Sequence, residues 1–116
     1  MSDLADEDIY REVGKIVSQF DLYQCYDSAI AVMQWLRDNR IEGRIIELKT
    51  FYRDEDYIVS DRIGGDESIS ENGKHYGVRV CGLIFDNLST IGMKEADWIR
   101  DFHCPSNEFE IAELGE

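Results

Sequence analysis

The 116-residue chain has one proline, Pro105, so its turns fall to glycine, asparagine and aspartate. Cysteine is also scarce. The three present, Cys25, Cys81 and Cys104, are odd in number and widely spaced, which excludes a complete disulfide framework and leaves at least one thiol free. A reducing, cytoplasmic compartment is therefore expected. Positive charge is in short supply: 12 Lys and Arg face 25 Asp and Glu, a net charge of −13. Nucleic-acid phosphates and anionic membranes would be repelled, so neither is expected as a partner. No apolar run approaches the ~20 residues that a membrane-spanning helix needs. The start, Met1-Ser2-Asp3-Leu4-Ala5-Asp6-Glu7-Asp8, is acidic where a secretion signal is basic and then apolar, so export or delivery as an effector would need another route. The length fits one domain over residues 1–116.

What the chain does contain is periodicity. Ile9, Val13, Ile16, Val17 and Phe20 recur at helical spacing behind an acidic first turn, which suits the positive end of a helix dipole. Cys25, Ala29, Met33 and Leu36 form a second stripe, closed by Asp38-Asn39-Arg40 and Gly43. Arg44 to Tyr52 is rich in β-branched and aromatic residues and reads as a strand. Residues 53–73 are charged, glycine-containing and aperiodic, which fits a flap beside a functional site, a disordered stretch or a short strand without a periodic signal. Lys74 to Cys81 and Leu83 to Asp86 read as strands joined in a hairpin at Cys81-Gly82. Lys94 to His103 carries Ala96, Ile99 and Phe102 and reads as a helix that Cys104-Pro105 ends, and Glu108 to Ala112 fits an edge strand. Helices first, then mostly antiparallel strands with one helix inserted, give an α+β architecture.

One thiol stands out by position. Cys25 opens the second helical stripe, where unpaired backbone N–H groups and the helix dipole favour thiolate and lower the pKa from ~8.5, the more so beside a histidine. His75 lies on the first hairpin strand. A loop of Cys81-Gly82 sets Val80 opposite Leu83, Gly77 opposite Asp86 and His75 opposite Leu88. Asp86 is then the diagonal neighbour of His75 on one sheet face, at about 7–8 Å between backbones. A loop one residue longer would flip the parity and present Asn87 instead. Either side chain can accept the ring N–H and fix the tautomer; Asp86 is favoured, with Asn87 the alternative orienter. Attack on a carbonyl also needs oxyanion donors: the nucleophile's backbone N–H and a side chain, for which Gln19 and, nearer in sequence, Gln24 are candidates. A thiol, an imidazole and an orienting group in this order carry the nucleophilic chemistry of a cysteine hydrolase or acyltransferase. Cys25, His75, His103 and Cys104 are zinc-type ligands, but no compact pair is spaced for zinc, so neither a metal nor a cofactor is expected. Cys81, Cys104, Trp35 and Trp98 read as packing residues or groove walls.

Taken together, Ser18-Gln19-Phe20, Tyr23-Gln24-Cys25, Ser68-Ile69-Ser70-Glu71-Asn72-Gly73-Lys74-His75, Leu83-Ile84-Phe85-Asp86-Asn87 and Cys104-Pro105 resemble the small papain-fold toxin domain of bacterial polymorphic toxin systems, common in cyanobacteria. The resemblance runs from about Val13 to Ile111. It implies a papain-like fold with N-terminal helices packed on a small antiparallel sheet. It further implies Cys25 as nucleophile, His75 as general base and acid, Asp86 as orienter and Gln19 at the oxyanion position. The activity it implies is that of a peptidase, deamidase or transglutaminase on a protein substrate, neutralised by an immunity protein. A different class fits the charge alone: an acidic interaction or immunity-type protein that occupies a basic partner surface.

Overall fold

A computed structural model describes residues 4–70 and 72–114; Met1 to Asp3 of the acidic start and Glu71 of the Ser68 to His75 motif lie outside them. Two helices, α1 (Asp6–Val17) and α2 (Cys25–Asp38), precede β1 (Arg44–Thr50). A short strand β2 (Val59–Ser60) leads into a 3-10 turn over Asp61–Ile63. Then come β3 (Lys74–Val80), β4 (Leu83–Asp86), β5 (Ser89–Met93), α3 (Glu95–Arg100), β6 (Phe102–His103) and β7 (Phe109–Leu114). Five strands form an antiparallel sheet in the order β5-β4-β3-β1-β7, and β2 pairs with β6 apart from it. The α+β class is as the sequence predicts. No helix among the described residues is long and apolar enough to cross a membrane.

The sheet is covered on both faces, which explains the run Ile45-Ile46 in β1: neighbouring residues of a strand point to opposite faces, and both are buried. Ile45, Val78, Val80 and Phe85 meet Ile9, Val13 and Val17 of α1 and Val32, Met33 and Leu36 of α2. Ile46, Leu48 and Ile84 meet a second core of Ile58, Ile69, Trp98 and Phe102. The aperiodic segment 53–73 is thus the cover of the second face. Neither disorder nor a free flap fits its described residues, of which Ile58, Val59, Ser60, Ile69 and Ser70 are all buried.

Several elements depart from the sequence reading. Ser89–Met93 forms β5, which the sequence does not announce, since Ser, Gly and exposed Ile91 leave no clean alternation. The helix expected to reach His103 stops at Arg100, because Phe102 and His103 pair with Ser60 and Val59 and Phe102 inserts against Trp98. The first helix ends at Val17, leaving Phe20 beyond it. The hairpin, by contrast, has the expected register: Val80 faces Leu83 and Val78 faces Phe85. Cys81 (φ 49°) and Gly82 (φ 86°) take the left-handed conformations that a tight primed turn demands.

Candidate active site

α2 starts at Cys25, and no side chain caps that end. The turn before it is shaped by Gln24, whose Oε1 accepts a hydrogen bond from the Asp21 N–H at 2.8 Å, and by Tyr23, a non-glycine residue at φ 73° whose hydroxyl donates to the Ser68 carbonyl at 3.0 Å. The Asn87 amide donates to the Asp21 carbonyl at 2.7 Å, tying the end of β4 to the same turn. Asn87 therefore fixes where α2 begins and is not the partner of His75. Gln24 is spent on the turn. Gln19 lies exposed just after α1; its side chain makes no hydrogen bond among the described residues and does not line the recess at Cys25.

The β3–β4 ladder stops at Val78 and Phe85, which opens a gap beside the start of β3. N–H groups of alternate strand residues point to the same side. That of Lys74 points away from β1, to Ser70 Oγ at 3.1 Å, so that of Tyr76 points into the gap. Cys25 lies there, and the backbone N–H groups of Tyr76 and Tyr26 favour its thiolate. Burial opposes ionisation of this thiol, but interaction with His75 and these two backbone donors outweighs it and holds its pKa below the ordinary value. The sulfur nevertheless borders an open recess of about 490 Å³, walled by Tyr23, Tyr26, Ile69, Tyr76 and Lys74.

His75 is buried, and its two nitrogens face different groups. Nε2–H donates to Asp86 Oδ2 at 2.9 Å. Nδ1 makes no hydrogen bond of regular geometry among the described residues, while the ring interacts with the Cys25 thiol. Burial alone would push the imidazole toward its neutral form, yet Asp86 and Cys25 together raise its pKa to about 9. A lowered thiol pKa beside an imidazole pKa raised to about 9 favours transfer of the thiol proton to the ring.

Asp86 is the electrostatic centre of the site. Besides His75 it accepts Trp98 Nε1–H at 2.8 Å, the Leu88 N–H at 3.1 Å and both arms of the Arg62 guanidinium at 2.8 and 2.7 Å. Burial would raise its pKa, but His75 and Arg62 hold the carboxyl far below the usual carboxylate range. Arg62 also donates through Nε to Asp101 at 2.8 Å, and Asp101 accepts in addition from Ser60 Oγ. The Phe102 ring lies 5.5 Å beneath the guanidinium carbon and 5.0 Å from the His75 ring. Gly77 makes room for this array: a Cβ there would stand 3.1 Å from Trp98 Cζ2 and 2.8 Å from Ile84 Cγ2.

Arg62, Trp98 and Asp101 are the site residues that sequence reasoning passes over. Arg62 lies in the aperiodic segment, and its one sequence cue is a cation flanked by buried apolar residues, Ile58-Val59 on one side and Ile69 on the other. The geometry brings Cys25, His75 and Asp86 together and leaves Gln19 outside. Such an array can favour a thiolate, hold the imidazolium that results and return its proton to a leaving group.

Comparisons with known proteins give a family and no individual relative. No curated protein and no solved structure matches the chain. A family model described as papain fold toxin 2 matches residues 8–103, a span that runs from α1 through Cys25, His75 and Asp86 to β6. On that match over most of its length, the chain belongs to the papain fold toxin 2 family.

Proposed function

We propose that this protein is a toxin that acts as a cysteine hydrolase or acyltransferase on an amide of a protein substrate, either a peptide bond or a glutamine carboxamide. The observation that carries the reading is the buried relay of Cys25, His75 and Asp86 at the edge of an open recess. The Cys25 thiolate adds to the carbonyl carbon, and the developing oxyanion meets the backbone N–H at the start of α2. For the side-chain donor we propose Gln19, whose exposed amide lies outside the recess just after α1 and would have to turn toward it. As the C–N bond breaks, imidazolium His75 protonates the departing amine or ammonia, leaving a thioester on Cys25. Neutral His75 then takes a proton from water, giving hydrolysis or deamidation, or from a second amine, giving a cross-link. Asp86 keeps the ring in the required tautomer throughout. A partner immunity protein would act by closing the recess.

The alternative, an acidic interaction module, accounts for the net charge of −13 but leaves the buried relay without a use. Expression in a bacterial host is expected to arrest growth, and Cys25→Ala to restore it while leaving protein levels unchanged. Mass spectrometry of the host proteome then separates the three reactions: new termini, glutamine converted to glutamate, or isopeptide links. Equal growth with both forms would contradict the toxin reading.

A further inference from the structure

The cations of this chain are distributed unevenly around the cleft. Arg11, Lys15, Arg44, Arg62, Arg79 and Arg100 are each in an ion pair with a carboxylate. Lys49, Arg53 and Lys74 make no ion pair among the described residues, and they line two neighbouring recesses. Lys74 and Asn72 belong to the wall of the Cys25 recess and also to that of a second recess of about 480 Å³, into which Lys49 and Arg53 project. Two carboxylates share that second recess. Glu55 is engaged by the N–H and Oγ of Ser106 at 3.2 and 2.9 Å, and Glu110 lies opposite Lys49 across the β1–β7 pair. Among the described residues lining the two recesses, three cations stand against two carboxylates, in a molecule whose net charge is −13. Phe51, more than half exposed, adds an apolar surface beside the cations.

A groove that stays cationic on an acidic protein rejects the basic segments that the rest of the surface attracts and favours acidic ones. We infer that this groove is a substrate subsite, and that the protein acts on amides in acidic polypeptide segments, with Asp or Glu side chains flanking the reacting residue and lying against Lys74, Lys49 and Arg53. The inference rests on the reading of Cys25 as the nucleophile and extends it to the substrate's sequence. Alternation along β3 places Lys74 and Tyr76 on one face with the recess between them, so a chain threaded past Cys25 meets Lys74 first and the second recess next.

The test uses glutamine-containing peptides bearing an electrophilic warhead, with flanking residues all Glu, all Gln or all Lys, on either side of the reacting position. Labelling of Cys25 is read by mass spectrometry. At low salt the Glu-flanked peptide is expected to label Cys25 about 10-fold faster than the Lys-flanked one, and raised ionic strength should erode the preference. In the Lys49→Glu, Lys74→Glu double variant the ratio of the two rates should fall to one or invert. Comparing rates within one variant cancels any change in intrinsic thiol reactivity. Equal rates for all three peptides in the wild-type protein, while iodoacetamide still labels Cys25 selectively, would overturn the subsite and leave the nucleophile intact. A thiol that reacts with neither probe would instead overturn the reading on which the subsite rests.

Discussion

Asp86→Ala is expected to lower the free energy of unfolding by roughly 3–5 kcal/mol, the cost of leaving a buried charge without its counter-ion. The carboxylate has no exposed side-chain surface, and its removal strands four donors at once: the Arg62 fork, the Trp98 indole N–H, the Leu88 N–H and His75. Asp101 keeps hold of Arg62 through Nε, which limits the loss, whereas Trp98 and His75 have no second acceptor among the described residues. Chemical denaturation with an unchanged dependence on denaturant would report the effect as a shift in midpoint. Acid titration gives an independent reading with a fixed sign. The Asp86 carboxyl is held below the ordinary value in the folded protein, so its contribution is present above ~3.9 and is lost as pH falls through the lower folded value. Wild-type protein should therefore lose stability in strong acid over a range where Asp86→Ala shows less dependence.

His75→Ala is expected to slow alkylation of Cys25 at pH 6 by about 10- to 100-fold, because an ordinary thiol with a pKa of ~8.5 is less than ~1 % thiolate at that pH. Burial is the largest influence on Cys25 and opposes the charge; with the imidazole gone only the Tyr76 and Tyr26 N–H groups resist it. The deficit should narrow above pH 9, where even an unassisted thiol ionises. Cys81 is an internal standard: partial burial and the nearby Asp6 hold its thiol above the ordinary value, and nothing at His75 touches it. The stability linkage of the pair has two opposed parts. His75, raised to about 9, contributes stability fully below ~6.5 that is lost as pH rises through about 9. Cys25, lowered, contributes stability that grows as pH rises toward ~8.5. The two offset each other between neutrality and pH 9.

The parts of the site that are legible in the sequence are those set by local rules. A two-residue turn at Cys81-Gly82 fixes the parity of β4, and parity alone puts Asp86 rather than Asn87 on the face of His75. The apolar stripe behind Cys25 fixes the start of α2, because its register leaves Cys25 at the N-terminal end. Contacts between distant segments leave no such signature. Arg62 reaches Asp86 and Asp101 from a turn whose only periodic feature is a pair of buried residues, and nothing local distinguishes it from a solvated surface cation. Trp98 reads as packing, and so it is, but its indole N–H also serves Asp86. Asn87 carries a role that parity cannot reveal, since it points away from His75 to anchor the turn before Cys25. β5 escapes detection because as an edge strand with an exposed Ile91 it needs little apolar alternation to be held by β4. The family resemblance draws on motifs spread across these segments and so extends further than any single pattern does.

The most direct measurement is the pH dependence of iodoacetamide labelling at Cys25, Cys81 and Cys104, resolved by peptide mapping of the native protein. Cys25 should label far faster than the other two at pH 6, with its inflection below that of an ordinary thiol and displaced upward in His75→Ala. Three cysteines that label slowly and alike, with inflections near or above ~8.5 that do not respond to His75, would contradict a thiolate–imidazolium pair at the start of α2.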